Sequence, residues 1–148
     1  MNYEQELLND IDPDFEVLAK CVDNHNPRLD YKLIRGYGGV CIFWRKSLNS
    51  SIKISSQGND RTIIAEIATE NKPICLINVY MPSTSKNSDE EYKEMLIELE
   101  ECLEIYKDSH EVILCGGMNA SMRRATGRDH LLHNFIKETN NDRKTVRS

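Results

Sequence analysis

Between residues 89 and 107, Tyr92, Met95, Leu96, Leu99, Leu103 and Tyr106 recur at three- and four-residue intervals. That spacing places all six on one stripe of an α-helix, with the acids and lysines of the segment on the other side. A helix of this kind is held mainly by the surface its stripe packs against, so the rest of the chain must supply one. Ser88 and Glu91 have the spacing of a capping box, and Asp89, Glu90 and Glu91 suit the positive end of the helix dipole.

The surface is written on either side of the helix. Residues 74–81 are almost continuously apolar, interrupted by Asn78, which predicts a strand covered on both faces at the centre of a sheet. Residues 111–115 form a second short apolar run ending in Gly116-Gly117, and Leu131, Leu132, Phe135 and Ile136 predict another helix over 129–137. Upstream, Leu7, Leu8 and Ile11 predict a short opening helix over 3–11, stopped by Pro13, and 15–22 predicts a strand. After a loop containing Gly36, Gly38 and Gly39, the aromatic and β-branched run 40–44 predicts a buried strand. Residues 50–56 and 61–69 predict a hairpin turned at Gly58 and Asn59. Strands followed by helix, strand and helix make an α+β domain, a mixed and mainly antiparallel sheet covered by helices. No linker or repeat divides it, so 1–148 is expected to be a single domain with a frayed polar tail at 139–148.

Composition narrows the function classes. The net charge of −5 and pI near 5.4 give no general attraction to nucleic acid or to an anionic membrane, so any such role needs a local basic patch. Arg123, Arg124 and Arg128, with Arg143, Lys144 and Arg147, are the candidates, and are read as a solvated surface. The five cysteines are widely spread without a C-x-x-C pair, which points to reduced packing residues in an intracellular protein rather than to zinc or disulfides. No apolar run approaches the roughly 20 residues needed to cross a bilayer.

Four stretches, in this order, carry a resemblance: Arg35-Gly-Tyr-Gly-Gly-Val-Cys-Ile-Phe-Trp-Arg-Lys46, Ile77-Asn-Val-Tyr-Met-Pro82, the acidic helix with Glu91-Tyr92, and Val112-Ile-Leu-Cys-Gly-Gly-Met-Asn-Ala-Ser121, followed by Arg128-Asp-His-Leu-Leu. Together they resemble the endonuclease/exonuclease/phosphatase domain of non-LTR retrotransposons. The resemblance implies an α/β sandwich of two facing sheets with helices outside. It also implies magnesium-assisted hydrolysis of a phosphodiester, DNA as the substrate, and residence in the nucleus. Such chemistry requires carboxylates for a divalent metal, a group that orients the attacking water, and a histidine near the phosphate.

By this resemblance Tyr80 stands where the family places a phosphate-contacting tyrosine, and Asn119 where it places the asparagine of a Gly-Asp-x-Asn motif. Without the family, Tyr80 is a half-buried aromatic at a sheet rim and Asn119 a turn residue in a left-handed backbone. Gly117 occupies the motif's aspartate position and has no side chain to act on water. The family's early asparagine and metal-binding glutamate are expected upstream of Tyr3, and its serine-aspartate-histidine ending beyond Ser148, so the domain is expected to be incomplete at both ends. His130 and His133, three apart on a predicted helix, are read as surface residues, and His25 and His110 carry no pattern. Three functions compete: a catalytically silent retrotransposon-derived nuclease domain binding no magnesium and little or no DNA, an active magnesium nuclease completed by flanking sequence or a partner, and a non-catalytic nucleic-acid-binding module. Incompleteness further predicts self-association through an uncovered sheet face.

Overall fold

A computed structural model describes residues 12–21, 39–83, 88–124 and 126–141, the side chains of Cys21, Ser88 and Asn141 excepted. The opening helix expected over 3–11, the glycine loop before Gly39, the Ser88 side of the capping box and the tail from residue 142 lie outside this description.

The long amphipathic segment forms α1 (Ser88–Tyr106), and all six stripe residues are buried. They pack on a sheet formed by β3 (Ile52–Ile54), β4 (Thr62–Ile67), β5 (Ile74–Tyr80) and β6 (Glu111–Gly117), in that spatial order. β3, β4 and β5 are antiparallel, and β6 runs parallel to β5, as it must when α1 returns the chain to the starting edge. Ile64, Cys75, Ile77 and Val79 alternate onto the helix face and are buried with α1 and with Leu132 and Phe135 of α2 (Gly127–Asn141). Each large apolar side chain so buried contributes about 1.5–3 kcal/mol against exposure.

On the opposite face, a second sheet of β1 (Phe15–Cys21) paired antiparallel with β2 (Gly39–Arg45) lies against β4 and β5. Ile63 and Ala65 point to that side and are 1% exposed. Asn78, the polar residue in the apolar run, joins the sheets: its Nδ2 donates to the Cys41 carbonyl at 2.8 Å and its Oδ1 faces the Cys115 thiol at 3.8 Å. The described residues thus stack as two facing sheets with helices beyond one of them, the α+β arrangement the sequence implies.

Four expectations are corrected. β2 is not a buried strand: only Val40 is buried, and Phe43 is 43% exposed, because the strand covers its neighbours with one face and turns the other outward. Cys41 shares that outward face and is not a packing residue, whereas Cys75 is; none of Cys41, Cys75, Cys102 and Cys115 is in a disulfide. β5 is fully buried only towards the helices, its alternate residues being half-buried. The last helix starts at Gly127 and runs to Asn141, so 139–141 are helical rather than frayed; Thr139 caps a late turn by donating its hydroxyl to the Phe135 carbonyl at 2.8 Å.

Candidate functional site

Parallel pairing of β5 and β6 brings their carboxyl ends side by side, with Tyr80 opposite Gly117. Loops leaving such ends are where an α/β sheet presents its chemistry. The ladder continues one step past the strands, Met81 N–H donating to the Gly117 carbonyl at 2.8 Å. Asn119 then turns the chain at φ 49°, and its Nδ2 donates to the Met81 carbonyl at 2.5 Å. The structure therefore brings Tyr80 and Asn119 to one place, and gives Asn119 the left-handed turn that its residue type also suits.

Gly116 and Gly117 serve this corner differently. Gly116 has φ +120°, and a Cβ on it would lie 2.0 Å from the Val79 carbonyl oxygen, so no other residue fits. Gly117 has no such backbone. A Cβ there would meet only the Tyr80 ring, at 3.3 Å from Cδ2 and 3.7 Å from Cε2. The tyrosine ring also lies under the Arg61 guanidinium, whose carbon is 5.9 Å from the ring centroid, and Tyr80 N–H donates to the Arg61 carbonyl at 2.9 Å.

A buried polar network fixes both loops from behind. Tyr92, fully buried, donates its hydroxyl to the Met118 carbonyl at 2.9 Å. Burial pushes that phenol up to about 12 against the opposing effect of Arg128, so it stays a donor. Arg128 is 6% exposed, which corrects its reading as a solvated surface residue. Its Nε and Nη2 donate to Asp89 Oδ1 at 3.2 and 2.8 Å, its Nη1 to the Pro82 carbonyl at 2.9 Å, and its guanidinium lies 4.9 Å from the Tyr92 centroid. A guanidinium can be buried here because carboxylate, carbonyl and ring face each meet part of its fork.

Asp129 is 1% exposed and closes the second loop. Oδ1 accepts Ser121 N–H at 2.7 Å; Oδ2 accepts the Thr126 N–H at 3.1 Å and hydroxyl at 2.6 Å. The Thr126 hydroxyl, then the backbone donors, hold its carboxyl down at about 2. Thr126 and Asp129 thus make the capping pair that starts α2, and their spacing three apart was the signal that could have found them. No comparable pattern announces Arg61, Asn78 or Arg128, whose side-chain hydrogen bonds among the described residues reach 30 or more positions away.

The other expected residues disperse. Arg123 and Arg124 are exposed, the latter 3.6 Å from Asp129. His130 is exposed, while His133 donates Nε2–H to the Met122 carbonyl at 3.1 Å. His110 sits at the opposite end of the sheet, its ring 5.1 Å edge-on to Tyr106 and its Nε2 3.9 Å from Glu66. His25 and the basic tail lie outside the described residues. Among the described residues no three His, Cys, Asp or Glu side chains are grouped to hold a metal. Asp129, at the start of the helix after this loop, already accepts three hydrogen bonds, so its carboxylate is committed to the loop backbone and to Thr126.

Comparison with protein-family models matches residues 4–145 to the Endonuclease/Exonuclease/phosphatase family. No curated protein matches the chain.

Proposed function

The chain belongs to the endonuclease/exonuclease/phosphatase family, and from that premise we propose that it is a retrotransposon-derived nuclease domain whose hydrolytic step is silent. The family is generally metal-dependent and acts on nucleic acids. The retrotransposon ancestry rests on the ordered motifs at 35–46, 77–82 and 112–121.

The observation that carries the reading is Gly117 at the tip of β6, where only a tyrosine ring stands beside the missing side chain. Loss of a general base lowers a rate by ~10²–10⁴. Asp129 does not replace it. Turning its carboxylate towards the corner would strip Ser121 and Thr126 of their acceptor, and a carboxyl held at about 2 is a poor base near neutrality.

A second reading is favoured by what is kept. Tyr80 and Asn119 stand on loops pinned by Met81, Tyr92, Arg128 and Asp129, a rigid frame without the reacting group. A domain in that state binds a phosphate backbone without cutting it. Ile113, 44% exposed on the sheet side that β1 and β2 cover over β4 and β5, supports the further reading that the chain self-associates.

Incubating the purified protein with supercoiled plasmid and magnesium tests the silent reading. The expected result is no nicking above the buffer rate. Nicking that disappears when Tyr80→Phe and Asn119→Ala are combined would show a working enzyme instead.

A further inference from the structure

We propose that Arg61 is a phosphate-binding position of this face, with Glu91 as its resident counter-ion, so that a nucleic-acid phosphodiester binds by displacing an internal carboxylate. The inference rests on the reading of the Tyr80 corner as a nucleic-acid-binding face.

Arg61 lies just before β4, after the turn at Gly58, and its place is fixed by the backbone. Its carbonyl accepts Tyr80 N–H, and its own N–H donates to Asn59 Oδ1 at 2.8 Å. The turn is braced from the second sheet by Lys20, whose Nζ donates to the Asn59 and Thr62 carbonyls at 3.0 Å each. Lys20 is thereby committed as a strut. Arg61 is not. Its guanidinium reaches over the Tyr80 ring, its side chain is 19% exposed, and among the described residues its side-chain hydrogen-bond partner is Glu91, through Nη2 at 3.0 Å.

A guanidinium presents five donors in a planar fork, and carboxylate and phosphate fit that fork alike. Glu91 stands on the first turn of α1 with its side chain 48% exposed. With its carboxylate half exposed the pair is screened on the Glu91 side, so an incoming phosphate loses little by replacing that carboxylate. The Tyr80 ring holds the guanidinium by a cation–π contact that does not use its donors. When the carboxylate leaves, the fork therefore stays beside the tyrosine.

The test is the fluorescence anisotropy of a short labelled single-stranded DNA, titrated with the full chain at low salt in the presence of EDTA, so that binding is read without hydrolysis. Arg61→Gln is expected to weaken binding about tenfold and to reduce the salt dependence by about one released counterion. Arg61→Lys recovers part of the affinity, and Glu91→Gln tightens binding several-fold by freeing the fork. Circular dichroism identifies any variant that fails to fold; should Arg61→Gln do so, Glu91→Gln, which keeps the arginine, carries the test. Equal binding by folded Arg61→Gln and the parent overturns the proposal, as does weakened binding in Glu91→Gln, which would make the pair a strut. Failure of the parent chain to bind at low salt removes the underlying nucleic-acid reading as well, and is told apart because no variant can then differ.

Discussion

Gly116 is a glycine for the backbone, and Gly117 is one in spite of it. The first has φ +120° with the Val79 carbonyl 2.0 Å from where a Cβ would stand; the second faces only the flank of Tyr80. Gly116→Ala is therefore expected to destabilise the protein by about 2 kcal/mol or more, and Gly117→Ala by less than about 1 kcal/mol, in chemical denaturation. Equal losses would mean that the corner is misread. Asp129 gives a prediction in pH. Its carboxyl titrates at about 2 in the folded protein and at roughly 3.9 in an unfolded chain. The stability it contributes is therefore complete above about pH 4 and lost as pH falls towards 2. The Ser121 and Thr126 amide resonances are expected to shift with a midpoint near 2; a midpoint near 4 would contradict the hydrogen bonding described. At this scale sequence is legible where one residue type solves one local problem. Asn119 is such a case, since a left-handed turn and a carboxamide donor suit asparagine equally. Arg128 is the opposite case, because nothing adjacent reveals that Asp89, Tyr92 and the Pro82 carbonyl will surround it.

At the level of elements, α1 and β5 were legible because each writes its burial in its own periodicity. The six-residue stripe of α1 is buried throughout, and Cys75, Ile77 and Val79 alternate onto the helix side of β5. The exposure of β2 was not legible. Val40, Ile42 and Trp44 differ little in character from Cys41 and Phe43, so the run does not say which face a neighbouring sheet will cover. The start of α2 was missed by two residues because its apolar positions begin later than its cap. The joint between α1 and α2 can be tested through two residues that share a ring contact. Tyr92→Phe is expected to cost about 1 kcal/mol for the lost Met118 bond, and Arg128→Met about 1–3 kcal/mol for the Pro82 carbonyl left without its donor. Because the two side chains touch, their combined effect is expected to fall short of the sum. Strict additivity would indicate that they act independently.

Across the whole molecule, the family's frame is present with a glycine at position 117. The sheet, the helix layer and the two pinned loops depend on apolar burial and backbone satisfaction, none of which needs an acid at position 117. The same architecture leaves Ile113 half open on a sheet face. If copies of the chain meet there, Ile113→Thr lowers the sedimenting mass at high concentration; an unchanged, monomeric mass for both forms would remove that expectation. The family assignment was legible because its motifs keep a fixed order along the chain, whereas the Arg61–Glu91 pair was not, since 30 positions separate its members. The most direct measurement is to hold the protein with an end-labelled DNA strand and magnesium, reading anisotropy and strand length from the same sample. The account predicts a strand that is bound and remains full length. Progressive shortening by the 148-residue protein alone would contradict it.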